Sequence, residues 1–179
     1  MISIFLADGF EEIEALTTLD ILHRAGCAVK TVGIGGEVIT STHGLKVLTD
    51  LRAGEVRPET LEAVVLPGGM PGARNLEQSG LVRNCVFHCV QENLPVAAIC
   101  AAPYILGKWG LLEGKEAICY PGFESELHGA TLSAQPVCRD GQILTAKGAG
   151  VALEFALTLT EMLKGKETAE RIRKEIQCR

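Results

Sequence analysis

The chain has 179 residues, 47% of them hydrophobic and 22% charged, with a formal net charge of −5. That is an ordinary globular balance, long enough for one domain with a sizeable core. No Lys/Arg cluster stands out, which argues against nucleic acid or an anionic membrane as partner.

Ile2 to Ala7 reads as a first buried strand, broken by Asp8-Gly9. Glu11 to Ala25 reads as a helix with Ile13, Leu16, Leu19 and Leu22 as its recurring apolar positions, stopped by Gly26. Cys27 to Ile34 is a second strand, and Glu37–Ser41 with Leu45–Asp50 patterns as a β-hairpin. Arg52 to Glu62 is a polar connection. Ala63 to Leu66 is a buried strand that ends in Pro67-Gly68-Gly69-Met70-Pro71-Gly72. A helix is predicted from about Ser79 to Asn93. Val96 to Ile99 is an unbroken apolar strand with Cys100 directly after it, and Ala101, Ala102 and Pro103 open a helical pattern. Glu116 to Tyr120 reads as a short strand and Phe123–Leu127 as one helical turn. Val137–Arg139 and Gln142–Ala146 read as a hairpin around Asp140-Gly141. An apolar helix, Val151 to Leu163, and a charged one, Lys166 to Ile176, close the chain. Alternating strands and helices predict an α/β fold on a mainly parallel sheet, as one domain over 1–179.

The longest apolar run, around residues 96–106, is too short to span a bilayer. Met1 leads straight into the first strand without a basic region, so no signal peptide is expected. Seven cysteines, an odd number with no Cys-x-x-Cys, fit free thiols in a reducing cytoplasm. Cys85, His88 and Cys89 fall at helical spacing, but no fourth ligand accompanies them. Cys85 and Cys89 share an apolar face with Leu81 and Val82, so core packing is the reading, and no metal site is expected.

Cys100 is the residue that carries chemistry. It stands at a strand-to-helix corner with Ala98 two residues before and Ala102 two residues after. A nucleophile elbow needs small residues at those positions because the turn is sharp. A helix start favours a thiolate, and cysteines so placed titrate at roughly 3.5–7.5, against ~8.5 when free. The plainer reading is a buried structural cysteine. Sites in open α/β sheets form beyond the carboxyl ends of the strands. Three segments therefore converge: Asp8–Glu14, Pro67–Gly72 and the Cys100 corner. Glu11, Glu12 and Glu14 are candidate carboxyl partners for the thiol; Glu11 and Glu12 read as favourable first-turn acids and Glu14 lies slightly deeper, but helix geometry does not say which one turns to the sulfur. Gly68-Gly69 and the Ala101 N–H offer donors for a developing oxyanion. No histidine adjoins Cys100 in sequence.

Taken together, Asp8-Gly9-Phe10-Glu11-Glu12-Ile13-Glu14, Val64-Val65-Leu66-Pro67-Gly68-Gly69, Ala97-Ala98-Ile99-Cys100-Ala101-Ala102-Pro103 and Glu154-Phe155-Ala156-Leu157 resemble the ThiJ/PfpI (DJ-one) superfamily, related to class I glutamine amidotransferase domains. The resemblance covers nearly the whole chain and is nearest to the small DJ-one branch. It implies a flavodoxin-like three-layer α/β/α sandwich, a homodimer and no cofactor. It makes Cys100 the reactive cysteine, Glu14 its carboxyl partner, and Gly69 and Ala101 the backbone donors. Gly68, Tyr120, His43 and Lys147 are expected around the pocket, the last two where relatives carry arginines. Many relatives have a histidine where this chain has Tyr120, and a phenol with a pKa near 10 is no substitute base.

The leading expectation is an enzyme of glyoxalase or deglycase type acting on a small-molecule carbonyl, with Cys100 adding to the aldehyde and Glu14 moving the proton. The alternative uses the same residues in an oxidative-stress sensor or chaperone, with Cys100 oxidised to a sulfinate. A PfpI-type hydrolase is disfavoured by Tyr120, and a role in thiamine biosynthesis would rest on the family name alone.

Overall fold

A computed structural model describes residues 1–178. Its elements in chain order are β1 (Ile2–Ala7), α1 (Glu12–Arg24), β2 (Val29–Ile34), β3 (Val38–Thr40), β4 (Lys46–Leu48), β5 (Leu51–Arg52) and β6 (Ala63–Leu66). There follow α2 (Gly72–Glu77), α3 (Gly80–Gln91), β7 (Val96–Ile99), α4 (Pro103–Lys108), β8 (Glu116–Ala117) and β9 (Thr131–Leu132). The chain closes with β10 (Val137–Asp140), β11 (Ile143–Ala146), α5 (Ala152–Lys164) and α6 (Lys166–Glu175).

Seven strands form one sheet in the order β10-β11-β7-β6-β1-β2-β5. Every neighbouring pair is parallel except β10–β11. Helices cover both faces, so the inner strands are apolar on both sides. In β1, Ile2, Ile4 and Leu6 pack with Leu22 of α1 and Phe155 and Leu159 of α5. Phe5 and Ala7, one residue out of phase, pack with Val82, Val86 and Cys89 of α3. The period of two sorts one strand into two cores. Each aliphatic side chain so buried contributes roughly 1.5–3 kcal/mol. The flavodoxin-like sandwich expected from sequence is the fold observed. Among the described residues no helix is long and apolar enough to cross a membrane.

The parallel strands β2, β1, β6, β7 and β11 stand in the order 2-1-3-4-5 of a flavodoxin-like sheet. The chain leaves β1 towards β2 on one side and returns to β6 on the other. The crevice of such a sheet opens beyond the carboxyl ends of the strands at that reversal. Three local expectations needed correction. Glu116–Tyr120 is a strand only at Glu116–Ala117, and it pairs with β9 in a separate two-stranded ribbon. The second strand starts at Val29, because the Cys27 N–H is still held by the Leu22 carbonyl at the helix end. The Arg52–Glu62 connection carries the two-residue β5 at its head, which pairs with Val32 and Gly33 of β2.

Candidate active site

Cys100 is the corner itself. Its φ is 65°, the left-handed region that non-glycine residues rarely occupy. The Cys100 N–H donates to the Ala146 carbonyl, and its own carbonyl accepts from the Tyr120 N–H at 2.7 Å. Backbone bonds on both sides thus hold a strained turn, and the surrounding fold bears the cost. Ala98, Ala101 and Ala102 are buried around it, as a sharp elbow requires.

Glu14 comes from the first turns of α1 and is completely buried. Glu11 caps that helix by accepting from the Glu14 N–H at 2.9 Å. Glu14 Oε2 accepts from the Gly68 N–H at 2.8 Å, which ties the helix to the Pro67-Gly68-Gly69 turn. Burial pushes Glu14 up to about 7, against the pull of the Gly68 bond. Oε1 of the same carboxyl has no nitrogen or oxygen partner, and the carboxyl as a whole interacts with the Cys100 thiol.

Glu14 and Cys100 meet at Gly68. A Cβ there would lie 2.6 Å from the Cys100 Cβ, 2.8 Å from Glu14 Oε2 and 3.0 Å from the Ile99 carbonyl. Only a glycine lets the carboxyl and the sulfur share this space. Gly68→Ala is therefore expected to destabilise the chain by about 1–3 kcal/mol, the usual cost of overpacking. It should also separate the pair, which thiol titration of the variant would reveal. A wild-type titration with an unchanged melting temperature would contradict the close approach.

The thiol differs from the sequence expectation of a depressed pKa. Burial pushes Cys100 up to about 12, and the charge of Glu14 adds to the rise. The Ala101 and Gly69 N–H groups favour the thiolate but do not outweigh those two effects. α4 has only six residues and starts at Pro103, so its dipole is a small term beside desolvation. Two acids this close do not both ionise near neutrality; the pair is neutral well below pH 7 and carries one negative charge, on Glu14, above it. The donors expected to face a substrate oxygen stand at the sulfur itself.

The Tyr120 ring comes close to the Cys100 corner. A Cβ on Gly148 would be 3.3 Å from the Tyr120 ring and 3.9 Å from Cys100 Sγ, so ring and sulfur flank that glycine. Tyr120, Lys147 and the 148–151 segment line a cavity of about 380 Å³. His43 is a correction. It is not among those lining residues. Its ring is exposed, and Nδ1 lies 2.8 Å from Glu12 Oε2. Opposite charge across that pair drew the histidine to α1. Glu12 also accepts from Ser41 Oγ and the His43 N–H. These bonds outweigh partial desolvation and bring it down to about 2.

Cys85 and Cys89 are fully buried on α3, so their helical spacing reflects packing. Cys100 is only partly buried, whereas Cys27, Cys85, Cys89, Cys119 and Cys138 are buried. A larger depression of about 670 Å³ lies between α1, α5 and the chain end. Its lining, which includes Leu16, Asp20, Arg24 and Glu175, offers no cysteine or histidine. The smaller cavity is the one beside the Cys100 sulfur, across Gly148.

A flavodoxin-like sheet with a cysteine on a left-handed corner and a buried carboxyl beside it defines a class of cysteine-centred α/β proteins. The model of the DJ-1/PfpI family matches residues 1–162, and the chain belongs to that family. Protein dj-1beta of Drosophila melanogaster is 35% identical over 174 residues, covering 96% of this chain and 93% of the relative. The glutathione-independent glyoxalase DJR-1.2 of Caenorhabditis elegans is 29% identical over 168 residues, covering 93% and 89%. The solved structure of oxidised Toxoplasma gondii DJ-1 superposes with a TM-score of 0.94 at 33% identity, covering 98% of this chain and 97% of that one.

Proposed function

We propose that this chain is a cofactor-independent enzyme of glyoxalase or deglycase type that acts on small reactive carbonyls in the cytoplasm. The observation that carries the reading is the Cys100–Glu14 pair, packed across Gly68 and flanked by an open cavity. The glyoxalase activity named for the Caenorhabditis elegans relative supports it. Above about pH 7 the Glu14 carboxylate is ionised and serves as base. The Cys100 sulfur adds to the aldehyde carbon while its proton passes to Glu14. The carbonyl π pair moves to oxygen, which takes that proton to give a hemithioacetal. Glu14 then removes the carbon-bound hydrogen; the freed pair forms an enediolate as the neighbouring ketone oxygen takes up the hydroxyl proton, and the proton held on Glu14 returns to that neighbouring carbon to give a 2-hydroxy thioester. Water cleaves the thioester to a 2-hydroxy acid and the free thiol. Gly69 and Ala101 hold negative charge at the sulfur and at the nascent oxygen beside it. Lactate formation from methylglyoxal by the purified protein is the direct test, and its absence would sink the reading.

Tyr120 is 51% exposed and orients the ligand over the sulfur. A phenol donates one hydrogen bond but accepts a proton poorly at neutral pH. Tyr120→Phe should lower turnover by about tenfold or less, the scale of one neutral hydrogen bond. Complete loss of turnover in that variant would make the tyrosine part of the acid–base machinery instead.

A second reading rests on Glu14 Oε1, which has no nitrogen or oxygen partner. A buried oxygen so placed is costly unless something arrives to bond it. An oxygen on an oxidised Cys100 would do so, which is the sensor reading; peroxide treatment followed by peptide mass analysis separates it from turnover. A homodimer fits the surface. Ile13, Val38, Leu45 and Leu48 are large exposed apolar side chains on α1 and the β3–β4 hairpin. Val38 and Leu48 are cross-strand partners, and Ser41 bonds Glu12 to join hairpin to helix. Patches of this kind mark interaction surfaces. Leu48→Lys should shift the protein to monomer in sedimentation, and an unchanged dimer would place the interface elsewhere.

A further inference from the structure

The cavity beside the sulfur is larger than methylglyoxal needs. It holds about 380 Å³, within the ~300–1,000 Å³ range of sites that enclose drug-sized ligands. Its lining is almost wholly apolar: Tyr120, Pro121, Ala149 and Val151 contribute to it, and Lys147 is its one charged residue. We propose that this cavity is a subsite for the second substituent of the substrate, and that the preferred substrates are 2-oxoaldehydes carrying a flat apolar group, as in arylglyoxals. This substrate class rests on the addition of Cys100 to a carbonyl proposed above.

Gly148 joins the sulfur to this cavity. A Cβ there would have as its nearest heavy atoms Tyr120 Cδ2 at 3.3 Å, Tyr120 Cε2 at 3.8 Å and Cys100 Sγ at 3.9 Å. The bare glycine leaves that point open, with the tyrosine ring on one side and the sulfur on the other. In the adduct the sulfur is bonded to the aldehyde carbon, and the next carbon carries the substituent. The substituent therefore starts within a few bonds of Sγ, at the gap itself. Beyond the gap it meets apolar walls, and leaving water for them is favourable. An aryl group also gains an aromatic partner, because the Tyr120 ring is exposed in the free chain and offers an offset or edge contact. A methyl group is too short to reach those walls. Charge does not select the substrate instead. Lys147 is exposed, so its pull on an anion is weakened by water and salt.

The test uses the purified full-length protein and two pairs of probes. Phenylglyoxal against methylglyoxal reads turnover. Iodoacetanilide against iodoacetamide reads access to Cys100 without catalysis, by peptide mass mapping after brief exposure. The parent's kcat/KM for phenylglyoxal should exceed that for methylglyoxal by about tenfold or more. Cys100 should favour iodoacetanilide relative to the same ratio for free glutathione. Gly148→Ala fills the gap, and Val151→Asn makes the wall polar. Each should lower both aryl preferences by about fivefold or more. Val151 is the N-cap of α5, a position that suits asparagine, so its variant should keep the parent melting temperature. An aryl preference in alkylation without turnover of either aldehyde would overturn the reaction proposed above and uphold the subsite. A parent that turns over methylglyoxal as well as phenylglyoxal or better, or preferences unchanged in both variants, would overturn the subsite.

Discussion

Replacing Cys100 by serine is expected to bring lactate formation from methylglyoxal down to the uncatalysed background, a loss of roughly 10³-fold or more. Burial already pushes the Cys100 thiol up to about 12, so even sulfur needs help to lose its proton. In the proposed mechanism that help comes from Glu14, which titrates near 7. A serine hydroxyl is a far weaker acid than a thiol. The same carboxylate is then too weak a base, and the hydroxyl oxygen is the poorer nucleophile. The exchange is nearly isosteric, and the backbone bonds to Ala146 and Tyr120 do not involve the side chain. The melting temperature should therefore stay close to the parent's while turnover disappears. A Cys100→Ser protein that retained more than about a tenth of parental turnover would move the chemistry away from this residue.

The parts of the fold that sequence made plain are those where one physical signal acts alone. Ala63–Leu66 and Val96–Ile99 are four-residue apolar runs buried on both faces, and both observed strands match the expected bounds. Glycine and proline mark their ends. α2 was invisible because Met70-Pro71-Gly72 looks like loop. The helix forms there because its apolar Ala73 and Leu76 reach the core. Ile118–Tyr120 reads as strand by composition, yet its donors go elsewhere. The Ile118 N–H bonds Thr145 Oγ1 and the Tyr120 N–H bonds the Cys100 carbonyl. That bond places Tyr120 at the site, and no local pattern announces it.

The site was legible in its members and not in its energetics. The elbow at Cys100 and the turn at Gly68-Gly69 follow from small residues at strand ends. The choice of Glu14 over Glu11 and Glu12 came from family resemblance, and the structure gives it a physical basis. Glu11 faces back to cap the helix, Glu12 faces the hairpin, and Glu14 alone turns inward under Gly68. His43 lies 31 residues from Glu12, so the pairing that takes it out of the pocket is a tertiary fact. The thiol pKa failed for a related reason. A helix start is visible in sequence, whereas the burial and the neighbouring charge that outweigh it appear only once the chain is folded.

Glu14→Gln is expected to make the protein less active and more stable at the same time. Turnover should fall by roughly 10² or more, the scale of lost acid–base help. The parent's kcat/KM should rise with pH and level off above about 7, because the ionised carboxylate is the proposed base. The variant should lose that rise. Stability runs the opposite way. An unfolded glutamate titrates near 4.5, while burial holds folded Glu14 at about 7. Below 4.5 both states are protonated and the parent keeps its full stability. Between 4.5 and 7 the unfolded chain ionises freely while the folded chain holds its proton, so stability falls as pH rises. Above 7 the loss is complete and level. The gap between 4.5 and about 7 corresponds to about 3 kcal/mol. Glutamine is uncharged throughout, and its amide oxygen can still accept from the Gly68 N–H. Urea unfolding should therefore find Glu14→Gln more stable than the parent at pH 8 by up to about 3 kcal/mol, with the difference vanishing near pH 4. A variant that kept parental turnover, or a stability difference that did not change with pH, would show that Glu14 is neither the base nor a carboxylate held in its protonated form by burial.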